Sequence, residues 1–409
     1  MKIYNVKIKT MADDRVIENG WVQIENGKFA AVCEGRPQET ESHDIDGSGG
    51  LLLPGFIDAH THLGIIENGI DFEGDDCNEA TDPFTPQMRV IDGINPFDRC
   101  FYEAVSRGIT CAVICPGSAN PCGGQIIAAK TAGRRIDDML IRTVGVKFAL
   151  GENPKRVYNG RDEAPVTRMA TAAIIREGLA KAKRYLDGIR EYESDRENSE
   201  LPEYDIKCEA LLPLLRNETA AYFHCHRADD IFTALRISKE FGIKPVLIHA
   251  TEGHLIADIL GRENVTAIAG PILCDRCKPE MKSLELKNAG ALAENGVKTA
   301  ICTDHTVVPI QYLPLSAAAA VKGGMNCEDA LKAITCNAAE AAGIADRTGS
   351  IEVGKDADLQ LYPKDCDPLD MMSEPVIVAE DGVIVKNIFK STHISVSYTH
   401  LTLPTTSRV

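Results

Sequence analysis

Apolar and polar positions alternate from Ile3 to Val32, in KIYNVKIKT and again in GWVQIENGKFAAV. A period of two sends successive side chains to opposite faces of a strand, so this stretch predicts a small β-meander with Asn19-Gly20 and Asn26-Gly27 as hairpin turns. From Leu51 the pattern changes to short, unbroken apolar runs: LLLPGFID, ITCAVI, GQIIAA, VGVKFAL, AAYFHC, KPVLIH, VTAIAG and VKTAIC. Runs of this length read as strands buried on both faces. Helical spacing fills several of the intervals, in PFDRCFYEAVSRG, across residues 165–192, in ADDIFTALRISKEFG and in PEMKSLELKNAGALAENG, and several of these end in Gly.

Strands alternating with helices predict parallel pairing. The stretch from Leu51 to Ala342, about 290 residues, suits a (β/α)₈ TIM barrel of about 250 residues carrying insertions. A doubly wound open sheet is the competitor, but no GxGxxG loop opens a helix after the first strand. After Gly343 the alternation returns in SIEVGKDADLQLYP and PVIVAEDGVIVKN, with Asp381-Gly382 as a hairpin turn. The expected architecture is α/β: a TIM barrel over residues 51–344, with a small β-sandwich composed of residues 1–50 and 345–390. Residues 396–409 are read as a non-native tail, because Val396 to Thr405 resemble the translation of a sequencing adaptor.

Charge narrows the partners. The chain has 44 Lys and Arg against 60 Asp and Glu, a net charge of −16, which repels phosphate backbones and argues against nucleic acid. No stretch approaches the roughly 18 to 20 apolar residues that span a bilayer, so no membrane partner is expected. Fourteen cysteines are scattered through a long chain with no signal-type N-terminus, which predicts reduced thiols and a cytoplasmic location. A small-molecule substrate fits these bounds, and a homo-oligomer is left open.

The apolar runs end on residues that bind metals. His60 and His62 close the first run in GFIDAHTHLG, two apart and so on one face of a strand. His224 and His226 end the fifth run, His249 ends the sixth, and Asp304 follows the eighth. In a barrel the carboxyl ends of the strands meet at one mouth. Imidazoles and a carboxylate gathered there suit zinc, iron, nickel, cobalt or manganese, and the set includes no thiolate to narrow the choice.

With PGFIDAHTHLG, FHCHRADD, LIHATEGH, CTDH and TCNAAEAAGI…TGSIEVGKDADLQLY on the page, the chain resembles the amidohydrolase superfamily, and within it the imidazolonepropionase-like and prolidase-like metal-dependent hydrolases. The likeness runs from Met1 to about Asn387 and implies a β-sandwich beside the barrel. It implies one or two divalent metal ions, zinc being the first expectation. His60 and His62 would bind the more buried ion and His224 and His249 the more exposed one, while Asp304 would bind metal and move the proton of the attacking water. A fourth-strand residue would bridge the two ions, with Lys147, carboxylated, and Glu152 as the two candidates; if neither reaches, the site holds one ion. The implied reaction is hydrolysis of an amide or cyclic amide C–N bond. Deamination of a heterocyclic base is the alternative within the fold, and a non-catalytic scaffold the alternative outside enzymes.

Around these residues His226, Arg227, Glu252, His254 and His305 flank the mouth and are candidates for substrate contact or for orienting ligands. Residues 151–168 read as a long polar loop whose Lys155, Arg156, Arg161 and Arg168 could receive an anionic group. Cys274 and Cys277 form a CxxC without the further ligands that structural zinc needs, so they read as ordinary loop cysteines. Pro121-Cys122-Gly123-Gly124 precedes a strand and not a helix, which argues against a phosphate cradle.

Overall fold

The structure is a computed structural model that describes residues 1–13, 15–69 and 71–388. The tail expected over residues 396–409 lies outside the described residues. Four strands open the chain: β1 (Lys2–Lys9), β2 (Val16–Glu25), β3 (Lys28–Glu34) and β4 (Ile45–Pro54). Eight follow in the middle: β5 (Phe56–Thr61), β6 (Ile109–Ile114), β7 (Cys122–Lys130), β8 (Leu140–Ala149), β9 (Ala220–Cys225), β10 (Pro245–His249), β11 (Thr266–Ala269) and β12 (Lys298–Ile301). Three close it: β13 (Leu359–Tyr362), β14 (Ile377–Glu380) and β15 (Val383–Asn387).

The outer strands from both chain ends form one hydrogen-bonded sheet of seven, in the order β15-β14-β13-β4-β1-β2-β3. Asn26-Gly27 turns β2 into β3 with φ of 51° and 78°, the left-handed pair that suits strand twist in a tight hairpin. Asp381-Gly382 does the same between β14 and β15, with φ of 46° and 72°. Asn19-Gly20, expected to be a turn, lies inside β2. Gly20 is there for close approach: a Cβ would sit 2.7 Å from both the Cys33 oxygen and the Ile17 Cγ2. The first reversal instead lies between the end of β1 and the start of β2, where Thr10 Oγ1 donates to the Arg15 carbonyl at 2.9 Å.

The eight middle strands form a second sheet in the order β12-β11-β10-β9-β8-β7-β6-β5, nearly closed into a barrel. All eight correspond to the apolar runs of the sequence, with one shift of boundary. Leu51–Pro54 belong to the outer sheet, pairing Leu52 with Ile8 of β1 and Leu53 with Gln360 of β13, and the barrel begins at Phe56. The edges β12 and β5 meet through Asp58, whose carboxylate accepts from Thr303 Oγ1 at 2.5 Å, and through Asp304 N donating to the His60 carbonyl at 3.2 Å.

One strand departs from the expected parallel pairing. β7 runs antiparallel to both β6 and β8. Only residues 115–121 connect β6 to β7, and only residues 131–139 connect β7 to β8, too few for the crossover of a dozen or more residues that a parallel pair needs. The segment around residues 84–89 runs beside β7 instead, bridging Phe84 to Cys122 and Arg89 to Gln125. The glycines of PCGG serve that approach, since a Cβ on Gly124 would lie 2.6 Å from the Met88 oxygen.

Because β7 is reversed, its last residue, Lys130, points away from the mouth and toward the outer sheet. There its ammonium lies 2.6 Å from Asp358, 3.0 Å from Asp381 and 3.3 Å from Asp356. Next to it Glu380 accepts from Thr131 Oγ1 at 2.6 Å, and burial pushes its carboxyl up to about 8. Lys130→Met should lower unfolding stability by about 3–5 kcal/mol in urea titration, because it leaves buried carboxylates without their cation. An unchanged midpoint would mean the ammonium does not hold the two sheets together.

Candidate metal centre and its cavity

The parallel strands β5 and β8 to β12 end at one mouth. His60 is the penultimate residue of β5 with His62 just beyond it; Lys147 lies in β8; His224 is in β9 with His226 two residues on; His249 ends β10; Asp304 follows β12. Register holds them level, with Ala149 opposite His224 and Ile248 opposite His224 on its other side. His249 and Asp304 have φ of 72° and 54°, left-handed conformations that non-glycine residues keep only where the surroundings enforce them.

Two groups of donors result. The ligand atoms of His60, His62 and Asp304 lie within 4.8 Å of one another, as do those of His224, His226 and His249. In the inner group Asp304 Oδ1 is 3.2 Å from His60 Nε2 and 3.4 Å from His62 Nε2. The groups adjoin, with the His60 and His249 ring centres 5.5 Å apart. Lys147 Nζ stands 3.4 Å from His60 Nε2. The Nδ1 atoms face outward: His62 donates to the Cys115 carbonyl at 2.8 Å, His249 to the Gly270 carbonyl at 2.7 Å, His60 lies 3.1 Å from Cys115 Sγ and His226 2.7 Å from Thr251 Oγ1. Such outer contacts fix ring orientation and leave Nε2 directed inward.

Burial sets the charges. It pushes His60, His224 and His226 well below the ordinary imidazole range, and His249 to about 4. Neutral imidazoles are the form that binds metal. Burial likewise lowers the Lys147 amine. For Asp304 burial works against ionisation, yet His249, His60 and His62 hold it well below the carboxylate range. His62 also resists burial, raised to about 10 by Cys77 and Asp304 beside it. The donors fit a divalent cation: imidazole nitrogens in both groups, a carboxylate oxygen in the inner one, and in His226 Nε2 a buried nitrogen with no hydrogen-bond partner.

A cavity of about 310 Å³ opens over both groups, lined by His62, His224, His226, His249 and Asp304 together with Asn78, Asn153, Lys278 and Met281. The structure thus brings His60, His62, Lys147, His224, His226, His249 and Asp304 together. Other sequence candidates are elsewhere. Residues 151–168 are not a plain loop: Gly151, at φ 81°, starts a helix over Glu152–Asn159. That helix puts Glu152, Lys155 and Arg156 on a second cavity of about 430 Å³, which Arg168, Arg227 and Glu280 also line. Arg227 pairs with Asp229 at 2.8 Å, Arg168 with Asp230 at 3.1 Å, and Arg161 donates to the Ala80 carbonyl. His254 and His305 line neither cavity; His305 Nδ1 accepts from Ile310 N at 3.2 Å. Glu252 is tied to Ala228 N at 2.9 Å and Ser283 Oγ at 3.0 Å. Cys274 and Cys277 join neither donor group, and all fourteen cysteines are free thiols.

Sequence reasoning missed Glu280, Lys278 and Asn153. Glu280 Oε1 is 3.5 Å from His224 Nε2 and 2.8 Å from Lys278 Nζ, which in turn donates to Asn153 Oδ1 at 3.2 Å. Asn153 lies in the helix over Glu152–Asn159, while Lys278 just precedes and Glu280 lies within PEMKSLELKNAGALAENG, expected to be helical throughout but forming an α-helix only over Asn288–Glu294; a pattern of strand ends marks none of the three.

The amidohydrolase family model matches residues 222–393. The crystal structure of an amidohydrolase from Thermotoga maritima MSB8 is 39% identical, covers 94% of this chain and 99% of its own, and superposes with a TM-score of 0.89. Amidohydrolase tasK of Hapsidospora irregularis is 32% identical over 89% of this chain, which spans 39% of tasK's length. The imidazolonepropionase of Acidiphilium cryptum (strain JF-5) is 25% identical, over 88% of this chain and 92% of its own.

Proposed function

The chain belongs to the amidohydrolase family, and from that premise we propose that it hydrolyses an amide or cyclic amide C–N bond in a small molecule, using divalent cations held by His60, His62, His224, His249 and Asp304. The observation that carries this reading is the convergence of two three-donor groups under one cavity of about 310 Å³. Lys147, and not Glu152, is the residue we assign between the groups, because its amine is 3.4 Å from His60 Nε2 whereas Glu152 lines the neighbouring cavity. Burial favours the neutral amine, the form that would add carbon dioxide, with loss of a proton, to give a carbamate whose oxygens would be further ligands for divalent cations.

A bound divalent cation would supply Lewis acidity, polarising the scissile carbonyl and lowering the pKa of water to about 7. Asp304, ionised and facing the cavity, accepts the proton of the attacking water and returns it to the departing nitrogen, a transfer worth about 10² to 10⁴ in rate. Asn78 and Asn153 line the same space and are placed to hydrogen-bond the substrate. Zinc is the first metal to supply. The relatives named imidazolonepropionase favour cyclic amides beside dipeptides in a substrate screen.

The test is incubation of the zinc-supplemented protein with dipeptides and cyclic amides, reading products by mass and ammonia separately. Addition of one water without ammonia supports the proposal. Ammonia released from an amino-substituted heterocycle would replace it with deamination. Arg156 and Arg227, on the adjoining cavity, would meet only a substrate long enough to extend past Glu280. Arg156→Ala should therefore raise KM about threefold to tenfold for substrates with a distal carboxylate, with kcat unchanged. A wild-type KM in Arg156→Ala for those substrates would remove Arg156 from substrate binding.

A further inference from the structure

The segment after β11 brings a carboxylate to the outer histidines. Glu280 Oε1 is 3.5 Å from His224 Nε2 and 3.6 Å from His226 Nε2. A tetrahedral cation with bonds of about 2.0–2.1 Å holds neighbouring donors about 3.3 Å apart. The inner group shows similar spacing, 3.2 and 3.4 Å between Asp304 and its two histidines. His249 supplies a third nitrogen, and its ring stacks on that of His226 with centres 4.5 Å apart. Two contacts fix the carboxylate and the ring: Glu280 Oε2 accepts from Glu152 N at 2.8 Å, and His226 Nδ1 lies 2.7 Å from Thr251 Oγ1. The free ends, Glu280 Oε1 and His226 Nε2, are therefore directed at each other. The nitrogen is buried without a hydrogen-bond partner, and the cation beside the oxygen is the Lys278 ammonium at 2.8 Å.

We propose that His226 and Glu280 are metal ligands, completing with His224 and His249 a three-imidazole, one-carboxylate site for the outer cation. Lys278 holds the carboxylate until a cation takes its place. The sequence expectation gave His226 to the substrate and left Glu280 unassigned. This inference rests on the barrel mouth being a metal centre, and the test separates the two.

Full-length protein, stripped with chelator, is titrated with Co(II), following visible absorption and cobalt bound per chain. His226→Gln and Glu280→Gln should weaken binding at the outer site by about 10-fold to 100-fold and alter its absorption. Lys278→Met should tighten the same site by about threefold or more, since it removes a competing charge. That gain cannot arise from misfolding. Wild-type titration curves in all three variants would overturn the assignment while leaving the inner site standing. A single cobalt per chain supports the assignment if the two ligand variants lose it and overturns it if they keep it. No cobalt bound by the wild type would remove both the assignment and the metal centre beneath it.

Discussion

Asp304→Asn should lower kcat/KM by about 10⁴-fold on whichever C–N substrate the screen yields, with the circular dichroism spectrum unchanged. Asparagine keeps the shape of the side chain and the backbone donation from Asp304 N to His60 that helps join the barrel edges. What it removes is the negative oxygen 3.2 and 3.4 Å from the two imidazoles. Two functions go with that charge: a ligand to a cation and an acceptor for the proton of water. The neighbouring histidines hold Asp304 ionised against the cost of burial, so the variant loses a carboxylate that the fold maintains at functional expense. Steady-state kinetics on matched, folded preparations is the check. Activity within tenfold of wild type would show that the proton travels by another group.

His60→Ala carries the second large effect, loss of at least about 10³-fold in kcat/KM that added zinc does not restore. His60 is fully buried and stands where the donor groups meet, touching Asp304, the Lys147 amine and, through ring contacts, His62 and His249. Removing the ring takes away one inner donor and the fixed partner of Lys147 together. Chelator-treated wild type should behave differently, losing activity and regaining it when zinc or cobalt is returned. Recovery of His60→Ala at zinc concentrations that restore the wild type would show that His60 is not a ligand.

The donors were legible because strand ends are legible. An apolar run that stops on His, in AHTH, FHCH or LIHA, marks both the strand and the residue at its exit, and parallel strands carry their exits to one mouth. The same reasoning erred where direction depends on the connection and not on the strand. GQIIAA has the composition of its neighbours, yet residues 115–121 are too short to cross over, and β7 returns antiparallel. Asn19-Gly20 has turn chemistry, but Gly20 is needed for the close approach of β3. The placement of Glu152 away from the two donor groups was invisible because it rests on Gly151, whose left-handed turn starts a helix lining the neighbouring cavity. Glu280 was invisible for another reason: it lies at the start of PEMKSLELKNAGALAENG, whose spacing predicts one helix, but the α-helix there covers only Asn288–Glu294, and Glu280 is placed by hydrogen bonds with Glu152, 128 positions away.

The proposed hydrolysis requires metal held by the barrel mouth. Elemental analysis of the full-length protein, grown and purified with added zinc, beside His60→Ala prepared identically, tests that claim most directly. The account predicts two divalent cations per chain in the wild type and at least one fewer in the variant. No bound metal in the wild type, or the same number in both proteins, would contradict it.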